Sequence, residues 1–158
     1  MSETVQKILH AHPFLVGLPE GTGGLIADCA RIATFEPGEL LLTEGEPADT
    51  ILLLQHGRVA VEAHRPAGGS LWIETIGPGH LVGLSWAAPP FHWQFDARAL
   101  EPVAAVAIDV HRLRAELGRH PEIGVALLDR MVERLVARLQ ATRLQLLDLH
   151  ALGDDDPR

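Results

Sequence analysis

Between Ala33 and Ile108 the apolar residues come in short runs, each closed by turn residues. Ala33–Phe35 precedes Pro37-Gly38, Leu40–Thr43 precedes Glu44-Gly45-Glu46-Pro47, and Ile51–Gln55 precedes His56-Gly57. Val59–His64 runs into Pro66–Gly69, Leu71–Ile76 into Gly77-Pro78-Gly79, and Val103–Ile108 closes the series. Runs this short, about 8–12 residues apart, predict an antiparallel sandwich or barrel rather than strand–helix–strand units. His56-Gly57 predicts a tight hairpin, with Gly57 supplying positive φ.

On either side of this region the spacing turns helical. Thr4–Leu9 predicts a short helix ending before Pro13, Gly17–Gly24 reads as loop, and Leu25-Ile26 with Ala30–Ile32 shows weak helical spacing around Cys29. After Ile108, Asp109 is suited to cap a helix over roughly Val110–Leu117, which Gly118 is placed to end. Pro121 then opens another helix, with Glu122 complementing its dipole, and no breaker follows before Gly153. Taken over Pro121–Leu149, it is a rod of about 43 Å at ~1.5 Å per residue.

The rod carries a heptad. Val132, Leu139 and Leu146 fall seven apart, as do Leu128, Leu135, Thr142 and Leu149, and the offset of three joins the two series into one seam. The seam could pack on the chain's own sheet or on the same helix of a second copy. A rod this long cannot bury its far end within so small a domain, and seven seam residues at ~1.5–3 kcal/mol each can exceed an association cost of ~4–15 kcal/mol. A homodimer is the expectation.

Composition narrows the classes. The 158 residues suit one domain with a real core, and the formal charge of −8 speaks against a phosphate-neutralising surface, so no nucleic acid is expected as a partner. Cys29 is the only cysteine, which rules out an intrachain disulfide and a thiolate metal cluster; it reads as a small buried residue. No apolar run reaches a membrane span and Met1–His10 lacks the plan of a signal peptide, so the expected location is the cytoplasm, with no membrane partner.

Gly77–Leu100 concentrates aromatic area. It holds Trp86, Phe91, Trp93 and Phe95, four of the chain's seven Phe and Trp residues (Phe 4 and Trp 3), beside a glycine turn and Pro89-Pro90. That concentration suggests a pocket, or a pocket that has been filled.

PGELLLTEGEPADTILLLQHGRV (Pro37–Val59), GHLVGLSWA followed by FDARALEPVAAVAI (Gly79–Ile108), and RLQAT (Arg138–Thr142) together resemble the cyclic-nucleotide-binding domain family, in particular the effector half of catabolite-activator-type regulators. The resemblance covers roughly His12 to His150. It implies an α+β fold: an antiparallel, double-stranded β-roll of the jelly-roll type, with N-terminal helices, a short cassette helix and a long C-terminal helix. The expected divisions are a helical segment 1–32, a roll 33–108 with a phosphate-binding cassette at 83–96, helices at 109–150 and a disordered acidic tail 151–158.

The cassette departs from the family's pattern where it grips its ligand. The resemblance implies Gly-Glu at its start, with the Glu on the ribose; here the pair is Gly83-Leu84. The family's phosphate-holding Arg aligns with Trp93, while Arg98, an odd number of residues on, faces the other side of its strand. Losing two charge-assisted hydrogen bonds, ~3–6 kcal/mol, weakens affinity about a hundred- to ten-thousandfold. The degenerate ligand site comprises Gly83, Leu84, Ser85, Trp86, Trp93 and Gln94, with Thr142 as the dimer-helix position that reaches a ligand in the family. What remains for an anion is the backbone near Gly83–Ala87 with Ser85. Two readings of the aromatics stand side by side: Trp86, Phe91 and Trp93 fill the vacated pocket, or they stack on a planar ligand such as another nucleotide or a redox cofactor. No cofactor is demanded.

The family's regulators continue into a helix-turn-helix, whereas here the chain stops at Arg158, so the expected recipient of a signal is another protein. GLSW with PPFHWQFDARA and RLQATRLQLLD further resembles small stand-alone proteins of redox and hydrogenase gene clusters, including an accessory subunit of NAD-reducing hydrogenases. That implies a partner enzyme. A cupin-like metal enzyme is the competing reading, because a cupin is also an antiparallel roll; it needs converging His and carboxylate ligands. His10-Ala11-His12 lies before the sheet, His80 follows a glycine turn, His56 and His64 sit across a hairpin, and His92 is the best single ligand-side candidate. No nucleophile–base arrangement stands out, so a non-catalytic protein is expected.

Overall fold

Eight short strands form two four-stranded antiparallel sheets, ordered β1-β8-β3-β6 and β2-β7-β4-β5, in a computed structural model that describes residues 2–153. The elements run α1 (Ser2–Ala11), α2 (Thr22–Asp28), β1 (Ala30–Phe35), β2 (Leu40–Leu42), β3 (Thr50–His56), β4 (Val59–His64), β5 (Ser70–Ile76) and β6 (Leu81–Val82). A single 3-10 turn (Ser85–Ala87), β7 (Asp96–Ala99), β8 (Val103–Asp109), α3 (Val110–Arg119) and α4 (Pro121–Gly153) complete the chain. This is the antiparallel sandwich or barrel that the apolar runs predict, in the form of the β-roll with helices that the resemblance implies.

β3 explains the roll's interior. Ile51–Leu54 are all buried because this strand is covered on both faces. Ile51 and Leu53 turn toward a helical layer of Phe14, Ile26, Leu113 and Met131, while Leu52 turns between the sheets toward Leu42 and Trp93. At the β3–β4 hairpin Gly57 has φ 83°, and a Cβ there would stand 2.4 Å from the Pro102 carbonyl oxygen, so glycine is required twice over.

Three local expectations differ from the fold, the first because of tertiary pairing. Ala30–Ile32 are strand, not helix, because β1 pairs with β8 from Ala30↔Ile108 to Phe35↔Val103. Gly23 and Gly24 lie inside α2 rather than in a loop, and Gly118 lies inside α3, which ends at Arg119 just before the Pro121 that opens α4. The Asp109 cap is as expected: its Oδ1 accepts from the Arg112 N–H at 2.9 Å. Residues 151–153 continue α4 instead of forming a tail; 154–158 lie outside the described residues.

α4 meets the body through its first half. Ile123, Leu127 and Met131 are buried, and then arginines spaced by four take over. Arg130 donates to the Phe14 carbonyl at 2.7 Å and the Val16 carbonyl at 2.9 Å, Arg134 donates to the Pro13 carbonyl at 3.3 Å, and Arg138 pairs with Glu74 of β5. From Leu139 to Leu152 every residue is exposed. The seam residues Leu128, Val132, Leu135, Leu139, Thr142, Leu146 and Leu149 face away from the roll, the apolar ones 44–65% exposed.

Candidate functional site

The cassette begins where β6 leaves the first sheet. Gly83 has φ 97°, and a Cβ on it would lie 2.8 Å from Cη2 of Trp93 and 3.3 Å from the Thr50 carbonyl oxygen. Only a glycine lets the indole come this close. Trp93 is 5% exposed and is fixed by its backbone, its N–H donating to the Glu46 carbonyl and its own carbonyl accepting from the Gly45 N–H, both at 2.9 Å. Beside it, Leu42, Leu52 and Phe35 line a cavity of about 190 Å³. The position that the resemblance assigns to a guanidinium therefore holds an indole turned between the sheets.

The other candidate residues are dispersed. Leu84 is half-buried and lines a separate cavity of about 380 Å³ between β5–β6 and α4, which shares no lining residue with the one at Trp93. Ser85 and Trp86 lie on the 3-10 turn, whose Ala87 N–H is already taken by the Leu84 carbonyl at 3.1 Å. Trp86 is buried on the helical side of β3 with Phe14, Leu113 and Met131, and its indole N–H has no partner among the described residues. Gln94 is exposed and donates to the His92 carbonyl at 3.0 Å. Thr142 is exposed and donates to its own helix at the Arg138 carbonyl, 2.9 Å away. The aromatics thus divide: Trp86 in one core layer, Trp93 in the other, and Phe91 and Phe95 about half exposed.

Two arginines near the cassette serve its framework. Arg98 points away, its Nε 3.3 Å from Glu62 and its Nη1 donating to the Gly38 carbonyl at 2.8 Å. Arg114 of α3 lies over the ring of Phe91 at 4.9 Å and that of Trp86 at 5.6 Å, and donates to the Trp86 carbonyl. Phe91 itself holds φ 59°, uncommon for a non-glycine residue. Arg114 was invisible as a cassette residue in the sequence, because only the fold brings α3 over residues 86–91. The Arg130, Arg134 and Arg138 ladder was legible as one helix face, but not its targets.

The histidines form no common centre, and among the described residues no group of three His, Cys, Asp or Glu converges on a point. His12 is buried: its Nε2–H donates to the Leu54 carbonyl at 2.9 Å and its Nδ1 accepts from the Phe14 N–H at 3.2 Å. Those partners fix the neutral tautomer, and burial holds its pKa below the usual value, helped by Arg134 and His80 nearby. His64 bridges Glu44 (2.6 Å) and the buried Asp96 (3.4 Å) through opposite ring nitrogens. The Glu44 hydrogen bond, then the Asp96 charge, raise its pKa. His92 is exposed and donates from Nδ1 to the Pro90 carbonyl at 2.7 Å. Cys29 is buried, and burial raises its thiol pKa.

Comparison with known proteins agrees with this fold. The CRP-like cAMP-activated global transcriptional regulator of Mycobacterium tuberculosis is 28% identical over 115 residues, 73% of this chain and 50% of the regulator; the chain thus spans about half that relative's length. The regulatory subunit of a cAMP-independent protein kinase A from Trypanosoma brucei superimposes with TM-score 0.69 at 26% identity, covering 84% of this chain and 47% of that one. A cyclic nucleotide-binding domain from Methylobacillus flagellatus superimposes with TM-score 0.77 over 93% of this chain and 83% of its own, at 22% identity. The neighbours include regulatory subunits and transcription regulators. Residues 32–120 match the cyclic nucleotide-binding domain, and the chain belongs to that family.

Proposed function

We propose that the chain is a non-catalytic, cytoplasmic regulatory or accessory subunit that pairs through α4 with a second copy and acts on a partner protein, with a redox enzyme such as a hydrogenase as the candidate. In this reading cAMP and cGMP are not held in the family's manner. The observation that carries it is the contact of Trp93 with Gly83; in this reading that indole, and Leu84 next to Gly83 in the chain, replace the phosphate counter-charge and the ribose acceptor that the family's grip needs. A phosphate there would be desolvated without compensation, which is costly. The cAMP-independence stated for the Trypanosoma brucei kinase subunit supports the idea that this fold can regulate without that ligand. Calorimetry with cAMP and cGMP is expected to give no binding at micromolar concentration; a micromolar Kd for either would overturn the proposal.

A further inference from the structure

The cavity between β5–β6 and α4 has a composition of its own. Ile76, Leu81 and Leu84 supply a hydrocarbon wall, and the small Ala137 and Ala141 on α4 leave the space open. Its charged groups are Arg134, Arg138 and Glu74, two cations against one anion. Glu74 engages Arg138 through Nη2 only, and Arg134 spends Nη2 on the Pro13 carbonyl at 3.3 Å, with no carboxylate in ion-pair range among the described residues. A guanidinium has five N–H donors, so both retain donors for an incoming anion.

We infer that this cavity binds a small organic carboxylate with a hydrocarbon body, its carboxylate on Arg134 and the free donors of Arg138 and its hydrocarbon on Ile76, Leu81 and Leu84. Guanidinium matches carboxylate in a forked, bidentate geometry, and the apolar wall lowers the local dielectric in which that pair forms. The volume of about 380 Å³ stands at the small end of ligand pockets. Apart from the arginines, a nucleotide would find only Glu74, Thr75 and His80 as polar side chains here, and the rest of its ribose and base edge would lie on leucine, isoleucine and alanine. The inference rests on the cassette having lost its nucleotide grip, because a cyclic nucleotide would compete for Leu84.

The test is titration of octanoate into the full chain carrying labelled Ile and Leu methyl groups, with octanol and octylamine as probes of equal length. Octanoate is expected to shift the methyls of Ile76, Leu81 and Leu84 saturably, and octylamine to leave them unmoved. Arg134→Gln should weaken octanoate about tenfold or more, as loss of a charge-assisted pair does, and Arg134→Lys should recover part of it. Ala141→Leu, made from the exposed flank of α4, should fill the space and abolish binding. Octylamine binding as well as octanoate, or octanoate binding unchanged in Arg134→Gln, overturns the inference. Silence from both octanoate and cAMP overturns the inference alone, whereas cAMP shifting these methyls at micromolar concentration overturns the functional reading beneath it.

Discussion

The ring of Trp93 and the α-carbon of Gly83 are in van der Waals contact, with no room for even a methyl group between them. Gly83→Ala must therefore displace the indole and hold alanine at φ 97°. Overpacking and a left-handed non-glycine residue each cost ~1–3 kcal/mol, so a loss of about 2–6 kcal/mol is expected in urea unfolding. Gly118→Ala is the control of opposite sign. It lies inside α3 with nothing within 4 Å of a new Cβ, and should gain about 0.5–1 kcal/mol. Equal effects at the two sites would refute the contact.

Arg114 ties the cassette to α3 through one carbonyl and two ring faces. A cation–π contact contributes ~0.5–1 kcal/mol where exposed, and a hydrogen bond from a charged donor ~1.5–3 kcal/mol. Arg114→Ala is expected to cost about 2–4 kcal/mol, and to speed amide exchange in residues 86–93 more than in β3 or β8. Uniform acceleration across the chain would mean that Arg114 supports the whole fold rather than the cassette.

How much of this was legible before the fold is clearest at particular residues. The strands followed from turn residues flanking short apolar runs, and the Asp109 cap and the length of α4 followed from local chemistry alone. Ala30–Ile32 were misread because β1 is set by pairing with β8, a partner more than seventy positions away in the register Ala30↔Ile108. The substitution at Trp93 could be read, but the parting of Trp86 from Trp93 could not. Two aromatics seven residues apart look like one cluster until β3 is seen to stand between them, Trp86 on the side of Ile51 and Leu53 and Trp93 on the side of Leu52.

Two histidines give pH dependences of opposite sign. His12 is neutral and buried, its folded pKa below the unfolded value of about 6.5. Its contribution is complete above that value and is lost as pH falls through the lowered pKa. His64 is the reverse: its pKa is raised, so the clasp on Glu44 and Asp96 is complete below about 6.5 and is lost as pH rises through the raised value. His64 faces Glu44, Asp96 and Glu62, and Arg98 in turn pairs with Glu62. Urea midpoints should show His12→Asn flattening the loss of stability on the acid side, and His64→Gln costing more at pH 6 than at pH 8.5. Both variants shifting the profile in the same direction would contradict these assignments.

The last prediction concerns the outer face of α4. Its apolar seam residues are about half exposed, so pairing would bury roughly half of the ~1.5–3 kcal/mol that each side chain offers. Six apolar residues from each of two copies then supply about 9–18 kcal/mol, against an association cost of ~4–15 kcal/mol. At the middle of both ranges the margin is about 4 kcal/mol, narrow enough for one charge at the middle of the seam to reverse it. Leu135→Arg places a guanidinium beside Val132 and Leu139, where a second helix would desolvate it. Sedimentation should show a dimer for the unaltered chain and a monomer for Leu135→Arg, with the circular dichroism of the roll unchanged. A monomer for both, at every concentration reached, would mean that this face waits for a different protein.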